Sequence, residues 1–247
     1  MPNPHAAPLP RLDPWDGILL VDKPAGFTSH DVVAKFRGHF RLKKVGHGGT
    51  LDPAATGLLI LLIGRGTRLS DRIMGSDKTY EGVMRLGIAT DSQDGDGQIV
   101  AEQPAGHITL EQVQTAMTKR IGDQMQTPPM VSAVKKNGVP LYKLARKGET
   151  IEREARLIHV YRFAALGKEG PDVSFVLRCT KGTYVRTLCA DIGEELGCGA
   201  HLHALRRTES GAFKLTDAVP LTEILKLDHA ALCDRIIPLN RVPPLLG

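Results

Sequence analysis

The sequence predicts an α+β fold that is built on a mainly antiparallel sheet. Segments typical of strands and of helices are interspersed along the chain, without the regular βαβ rhythm of a parallel sheet and without an internal repeat. Hydrophobic residues make up 42% of the 247 positions and charged residues 24%, which excludes disordered, collagenous and coiled-coil classes. A chain of this length is expected to bury a sizeable core.

The first strand and the first helix carry clear local signals. Residues 17–22 form a short apolar run that stops at a Pro-Ala-Gly turn, which predicts a strand followed by a turn. Ser29 is placed to cap a helix over residues 30–40. The apolar side chains of that helix share one face, at Val32, Val33 and Phe36.

Further strands and a hairpin follow. Residues 45–57 hold four glycines and a proline, and they predict a shaped loop that leads into a core strand over residues 58–63. Residues 78–86 have mixed strand character. The Asp- and Gly-rich residues 91–97 predict the turn of a hairpin that is completed by residues 98–101.

The second half begins with a helix and ends with strands around a second helix. Thr109 and Gln112 resemble a capping box for a helix through about Arg120. Alternating apolar residues predict an antiparallel pair of strands over 157–163 and 173–179. The segment 184–186 is interpreted as extended, before a helix with an apolar stripe. That stripe is Leu188, Ile192 and Leu196.

Charge and motifs narrow the range of functions. A net charge of +5 and a pI of about 9.1 favour polyanionic partners. The four cysteines fit neither a zinc cluster nor a disulfide framework. No G-x-G-x-x-G follows a strand and no G-x-x-x-x-G-K-[ST] occurs, which disfavours dinucleotide and P-loop enzymes. We therefore expect no metal and no cofactor.

The termini and the apolar runs predict a cytoplasmic protein. Residues 1–16 are rich in proline and lack an apolar core of secretory length, so we expect a flexible tail and not a signal peptide. The longest apolar run, residues 58–63, is too short to span a bilayer.

The glycine-rich loop presents one carboxylate, Asp52, which a rigid proline follows. Such a loop can bring a side chain to a ligand at close backbone approach. An Asx-turn before Pro53 explains an isolated Leu-Asp-Pro tripeptide at least as well. The tripeptide by itself therefore leaves the role of Asp52 open.

The loop is one of five blocks that together carry a resemblance. The blocks are KPAGFTS at 23–29, VGHGGTLDPAATG at 45–57, KTY at 78–80 with LG at 86–87, SA at 132–133 with LY at 141–142 and AR at 145–146, and CTKGTYVRT at 179–187 with GCGAH at 197–201. In this order they resemble the bacterial TruB family, the tRNA pseudouridine-55 synthases. The resemblance covers about residues 17–207 and its joint signal is very specific.

The resemblance implies a pseudouridine synthase fold, in which helices and loops flank a central mixed sheet, and an enzyme that isomerises a T-loop uridine. Asp52 is similar to the catalytic nucleophile or base, Tyr80 to the ring that packs on the uracil, and Arg186 to the ion-pair partner of Asp52. His47 resembles the residue that contacts the unstacked part of the T-loop. Other positions resemble residues that line or support the site, namely Lys23, Tyr184 and Leu205.

Physical chemistry makes these roles reasonable. An aspartate that stays ionised in a dry pocket needs a fixed positive partner, and a bidentate arginine serves better than a lysine. Tyr184 and Arg186 are two apart in the segment interpreted as extended, so both are expected to face one pocket. Tyr80 is explained equally well, in isolation, by core packing, although a flipped base requires an aromatic face.

Basic residues are the expected contacts to tRNA phosphates, although a solvated surface is the ordinary explanation for such groups. Residues 126–154 form a long polar segment that is expected to act as a flap over the T-arm. The basic residues that we single out are Lys135, Lys143, Arg146 and Arg206, and the wider basic group includes Arg207. A monomer is expected.

Domain organisation and two departures complete the predictions. We expect a catalytic domain over residues 17–215 and an extension over 216–247, with the small C-terminal RNA-binding domain of many family members absent. Gly48 stands where the family more often has threonine, and Val131 where tyrosine is common.

Two rival functions are a tRNA-binding chaperone without turnover and a glycosidase that releases uracil. A glycosidase needs a second carboxyl group, which the signature loop lacks.

Overall fold

The computed structural model describes residues 15–132 and 151–242, together with the backbone of residues 135–136 and 139–140. The helices are α1 (Ser29–His39), α2 (Ser70–Met74), α3 (Leu110–Thr118), α4 (Val185–Glu195), α5 (Leu221–Ile224) and α6 (His229–Arg235). The strands are β1 (Gly17–Lys23), β2 (Val45–His47), β3 (Thr56–Ile63), β4 (Lys78–Leu86), β5 (Ile88–Thr90), β6 (Ile99–Glu102), β7 (Gly122–Gln126), β8 (Lys135–Lys136), β9 (Val139–Pro140), β10 (Arg156–Glu169), β11 (Asp172–Cys179), β12 (Ala200–Ser210), β13 (Phe213–Lys214), β14 (Val219–Pro220) and β15 (Ile237–Pro238).

One mixed sheet organises the fold. Its strands run in the order β14-β1-β3-β12-β4-β11-β10-β7, with β2 paired to β3, β13 to β12 and β15 to β1. β12 pairs with β3 in parallel and β14 pairs with β1 in parallel, whereas the other pairs are antiparallel. The predicted α+β fold with a mainly antiparallel mixed sheet is confirmed.

Three apolar clusters lie against the sheet, and two of them meet where β12 joins β4. The first packs α3 and α4 against β4, β10, β11 and β12, with Phe163 and Phe175 at its centre. The second packs α1, α5 and α6 against β1 and β3, and it includes Phe36. Tyr80 and Leu205 contact both clusters. These two side chains therefore lie at the junction between the two halves of the protein.

Several local predictions are confirmed. β3 is buried almost throughout, as expected for an apolar run in a central strand. Thr109 caps α3, and Gln112 completes the reciprocal capping box. β5 and β6 form the predicted hairpin, and β10 and β11 form the predicted antiparallel pair.

Two local predictions are wrong. The cap of α1 is Thr28, not Ser29, because Asp31 at the third helical position completes a capping box with Thr28. The segment 184–186 is not extended throughout, because α4 begins at Val185 and Tyr184 alone keeps extended geometry as the N-cap. Tyr184 and Arg186 therefore do not project from one face of a strand.

The ends of the described chain are tied to the sheet. Asp16 accepts a hydrogen bond from the Arg65 backbone N–H at 2.7 Å, whereas residues 1–14 of the expected tail lie outside the described residues. β14 and β15 pair with β1, and α5 and α6 pack against the second cluster. Residues 133–134, 137–138 and 141–150 of the expected flap also lie outside the described residues. Within the part of the chain that is described, no helix is long and apolar enough to cross a membrane.

Candidate active site

Asp52 lies in the loop between β2 and β3, and the peptide in front of it is fixed by Ser29. The Ser29 hydroxyl accepts a hydrogen bond from the Leu51 N–H at 2.8 Å and donates to the Leu51 carbonyl at 3.2 Å. The Ala55 N–H donates to the Asp52 carbonyl at 3.1 Å, which closes a turn. Ser29, which was expected to cap α1, thus braces the loop instead.

The peptide behind Asp52 is fixed by Lys23. The fully buried Lys23 ammonium donates to the carbonyls of Pro24, Phe27 and Pro53, at 2.9, 2.6 and 3.1 Å. Burial lowers the pKa of Lys23 to about 8, and the Asp52 carboxylate acts against this shift. Lys23 therefore supports the loop from the protein interior and is not exposed to a ligand.

Arg186 holds the Asp52 carboxylate from the first turn of α4. Its Nη2 donates to Asp52 Oδ2 at 2.8 Å, and its Nη1 donates to Asp94 Oδ2 at 3.0 Å. The expected bidentate contact to one carboxylate is therefore wrong, because the guanidinium bridges two carboxylates. Among the described residues, Arg186 supplies the hydrogen bond to the Asp52 side chain, and no backbone N–H does. This geometry contradicts the Asx-turn explanation.

The carboxylate of Asp52 is accessible to solvent, and nearby charges and burial act on its pKa. The Arg186 side chain is 5% exposed, whereas that of Asp52 is 48% exposed. Burial raises the pKa of Asp52, Arg186 acts against this rise, and the negative charge of Asp94 adds to it. The aspartate is thus reachable by a ligand while a rigid cation stabilises its ionised form.

Two glutamines that the sequence did not single out position the start of α4. The Gln126 amide accepts from the Tyr184 N–H at 2.7 Å and donates to the Tyr184 carbonyl at 3.1 Å. Gln93 has a positive φ of 66°, and its side chain accepts from the Thr187 hydroxyl at 2.8 Å. Together they fix the residues on either side of Arg186.

Tyr80 and Leu205 form one surface next to Asp52. Leu205 on β12 lies opposite Gly82 on β4, two residues from Tyr80, so both side chains share a face of the sheet. Tyr80 is half-buried and is close enough to Asp52 for the two to interact electrostatically. Burial raises the pKa of the Tyr80 phenol. Tyr184 is half-buried at the N-terminus of α4.

His47 lies on β2 at the edge of the same loop. Its Nδ1 accepts a hydrogen bond from the Gly49 N–H at 3.4 Å. Burial and, to a smaller degree, the charge of Arg207 lower the pKa of His47. The ring is therefore neutral at pH 7, with the proton on Nε2, which is a hydrogen-bond donor.

The basic residues that were expected to contact RNA differ in their exposure, and some lie outside the described residues. Arg206 is half-exposed and already donates to Asp22 Oδ2 at 2.6 Å. Arg207 is not on the surface, since 2% of it is exposed. Other expected contacts lie outside the residues whose side chains are described, namely Lys135, Lys143 and Arg146.

Asp94 is the main site residue that sequence reasoning missed. It belongs to the Asp- and Gly-rich turn between β5 and β6, which was interpreted only as a hairpin turn. Its partner Arg186 is 92 positions away, so the contact has no local signal. The positive φ of Gln93 next to it marks a constrained backbone, but that strain is visible only in three dimensions.

A mixed sheet with an accessible aspartate that is held by a buried arginine next to an aromatic ring defines a pseudouridine synthase. The TruB family pseudouridylate synthase N-terminal domain matches residues 37–185, and the tRNA pseudouridylate synthase B C-terminal domain matches residues 186–242. The chain belongs to the TruB family and is a tRNA-modifying isomerase.

Curated relatives and solved structures agree with this membership. The chain is 52% identical to tRNA pseudouridine synthase B of Opitutus terrae, over 93% of this chain and 95% of the relative. It is 50% identical to the same enzyme of Syntrophotalea carbinolica, over 85% and 68%. A Cbf5-Nop10-Gar1 complex contains a chain that is 28% identical, with a TM-score of 0.75 over 98% of this chain and 69% of that one. A structure of an H/ACA RNP bound to a substrate RNA gives 25% identity and a TM-score of 0.71, over 98% and 69%.

Proposed function

We propose that this enzyme converts the uridine at position 55, in the T-loop of tRNA, to pseudouridine with Asp52 as its catalytic carboxylate. The observation that carries this proposal is the Asp52 side chain. It is half exposed next to Tyr80, and Arg186 holds it at 2.8 Å. The bracing of the loop by Ser29 and Lys23 supports the proposal, because a catalytic group must be held rigidly.

The reaction requires one carboxylate and consumes no water. The N1–C1′ bond breaks, the uracil rotates, and C5 bonds to C1′. C5 then loses its proton and N1 gains one, so that the product is an isomer of the substrate. A carboxylate can attack during the first step, or it can stabilise a cationic sugar and accept a proton. Arg186 favours the ionised form of Asp52 in either case, and Asp94 fixes the orientation of the guanidinium.

The junction between the two apolar clusters is the proposed uracil site. Tyr80 would stack on the flipped base, because an extruded base is read between aromatic and apolar side chains. Leu205 shares the face of Tyr80 and would contact the ring from β12. Tyr184, fixed by Gln126, would close the site from the start of α4.

The T-arm is the proposed docking partner. His47 lies at the rim of the loop as a neutral donor and would contact the opened T-loop. The segment 126–154 would act as the flap over the RNA, and basic residues would bind phosphates. Those residues are Lys135, Lys143, Arg146 and Arg206. A monomer in the cytoplasm is the proposed active form, with residues 17–215 as the catalytic domain.

Mapping of the product tests the proposal. Unmodified tRNA transcript is incubated with enzyme, and pseudouridine is located at nucleotide resolution. We expect pseudouridine at position 55 with wild-type protein and with Asp172→Asn, a matched substitution at a carboxylate that pairs with Arg85 away from the site. We expect none with Asp52→Asn. Unchanged uridine with the wild-type protein would favour a chaperone without turnover, and an abasic site would favour a glycosidase.

A further inference from the structure

Arg207 lies near the centre of the sheet, and its side chain is almost completely buried. Of its surface, 2% is exposed. β12 pairs with β4 on one side and with β3 on the other, so Arg207 lies opposite Tyr80 and opposite Gly57. The residue thus sits between the strand that carries Tyr80 and the strand that follows the Asp52 loop.

The guanidinium of Arg207 binds main-chain carbonyls. Its Nε donates to the Leu58 carbonyl at 2.8 Å. Nη1 donates to the Thr50 carbonyl and Nη2 to the Gly49 carbonyl, both at 3.2 Å. Arg207 also lies directly opposite Tyr80 in the β4–β12 pair, and its charge is close enough to interact electrostatically with the Tyr80 phenol. One side chain therefore connects the loop that carries Asp52 to the aromatic ring.

No carboxylate of the described residues offsets the buried charge of Arg207. None of the ion pairs between described residues includes Arg207. An arginine remains protonated inside a protein, and an unpaired buried charge is costly to desolvate. An apolar side chain would fill the same space without that cost, so packing alone does not account for the guanidinium.

The backbone around Arg207 is shaped to bring it close to the loop. A Cβ atom at Gly57 would lie 2.4 Å from the Arg207 carbonyl oxygen and 2.8 Å from its nitrogen, and the φ of Gly57 is +96°. Only glycine permits this approach of β3 to β12. The close approach places the guanidinium within hydrogen-bonding distance of Gly49 and Thr50.

We propose that Arg207 is a positioning residue for pseudouridine formation, which fixes the Asp52 loop relative to the Tyr80 ring by binding the main chain of the loop from a position directly opposite Tyr80. This inference rests on the proposed roles of Asp52 and Tyr80. The charge of Arg207 also acts on His47 at the rim of the site. Burial is the largest cause of the lowered pKa of His47, and the charge of Arg207 is the second. Arg207 touches neither base nor sugar in this arrangement and acts through its two neighbours.

The test begins with Arg207→Lys, which keeps the charge and removes the planar fork. We expect the single-turnover rate at saturating enzyme to fall roughly a hundredfold, because small displacements of catalytic groups cost about that much. Affinity for tRNA is expected to stay near the wild-type value. The control is Arg85→Lys, an arginine on β4 that binds Asp172 through two hydrogen bonds away from the site, and its rate should be unchanged. A wild-type rate in Arg207→Lys, or equal losses of rate and affinity, would overturn the inference.

A double-mutant cycle with Tyr80→Phe separates positioning from general destabilisation. If Arg207 acts partly through the phenol, the Arg207→Lys substitution costs less in the Tyr80→Phe background than in the wild type. Rate losses that simply multiply would contradict the contact to Tyr80. Thermal unfolding of each variant shows whether the protein is folded at the assay temperature.

A measurement on unaltered Arg207 decides the question if Arg207→Lys does not fold. The side-chain nitrogen resonances of Arg207, followed by NMR, should shift in Tyr80→Phe, and unchanged resonances would overturn the inference. Failure of the proposed function is distinguishable, because wild-type enzyme would then make no pseudouridine at position 55. An active wild type with an equally active Arg207→Lys would refute the role of Arg207 alone.

Discussion

Replacing Arg186 by lysine tests the bridge between the two carboxylates. The guanidinium donates to Asp52 and to Asp94 through different nitrogens, at 2.8 and 3.0 Å, and one ammonium cannot reproduce that fork. A hydrogen bond to a charged group contributes about 1.5–3 kcal/mol. Because Asp52 is half exposed, the lower part of this range applies. Loss of one bond, about 1.5–2 kcal/mol, corresponds to a rate reduction of roughly ten- to thirtyfold.

The assay is single-turnover pseudouridine formation at saturating enzyme, together with tRNA affinity and thermal unfolding. We expect Arg186→Lys to slow the chemical step while tRNA affinity stays near the wild-type value. Arg85→Lys is the matched control, since Arg85 also holds a carboxylate with two hydrogen bonds. A wild-type rate in Arg186→Lys would refute the claim that the bridge organises Asp52.

Three further predictions follow from the same site. Asp52→Asn should abolish measurable pseudouridine formation in single-turnover assays, while tRNA still binds in a filter assay. The reason is that the substitution removes the charge and nucleophilicity of the side chain but little of its volume. A rate comparable with that of the wild type would refute the mechanism. Burial and the charge of Asp94 raise the pKa of Asp52, so Asp94→Asn is expected to lower that pKa. The acid limb of the rate–pH profile, where ionised Asp52 is lost as pH falls, should then move to lower pH. An unmoved limb would show that Asp94 does not act on Asp52. Ser29→Ala leaves the buried Leu51 N–H without its acceptor, so it should lower the free energy of unfolding by about 1–3 kcal/mol in denaturant titrations. An unchanged free energy of unfolding would mean that the Leu51 N–H finds another acceptor.

Three of the six described helices, α1, α3 and α4, and about half of the strands could be predicted because each has a local signal, whereas β12 was not predicted. β10 and β11 alternate, β3 is a continuous apolar run, and α3 carries its own capping box. The error at α1 is also local, since Thr28 and Ser29 are both good caps. Asp31 lies three residues after Thr28 and selects it. The signal was present in the sequence and was assigned to the wrong residue.

The arrangement of the site depends on contacts that no local pattern contains. Asp94 and Arg186 meet across 92 positions, and the bridging guanidinium exists only because the hairpin packs against α4. The burial of Arg207 did have a partial signal. It is two residues from Leu205 on one strand, so the two share a face, and Leu205 was already assigned to the site. A charged residue was nevertheless expected at the surface, which is the ordinary location for arginine.

The order of strands in the sheet has a consequence for synthesis on the ribosome. β3 follows the Asp52 loop and β4 carries Tyr80, and these two strands pair not with each other but with β12, which lies between them. Chains grow from the N-terminus, and β12 begins at Ala200. Until that strand has left the exit tunnel, β3 and β4 have no common partner and the long-range pairing cannot form. We therefore expect Asp52 and Tyr80 to come together only after β12 has emerged from the ribosome.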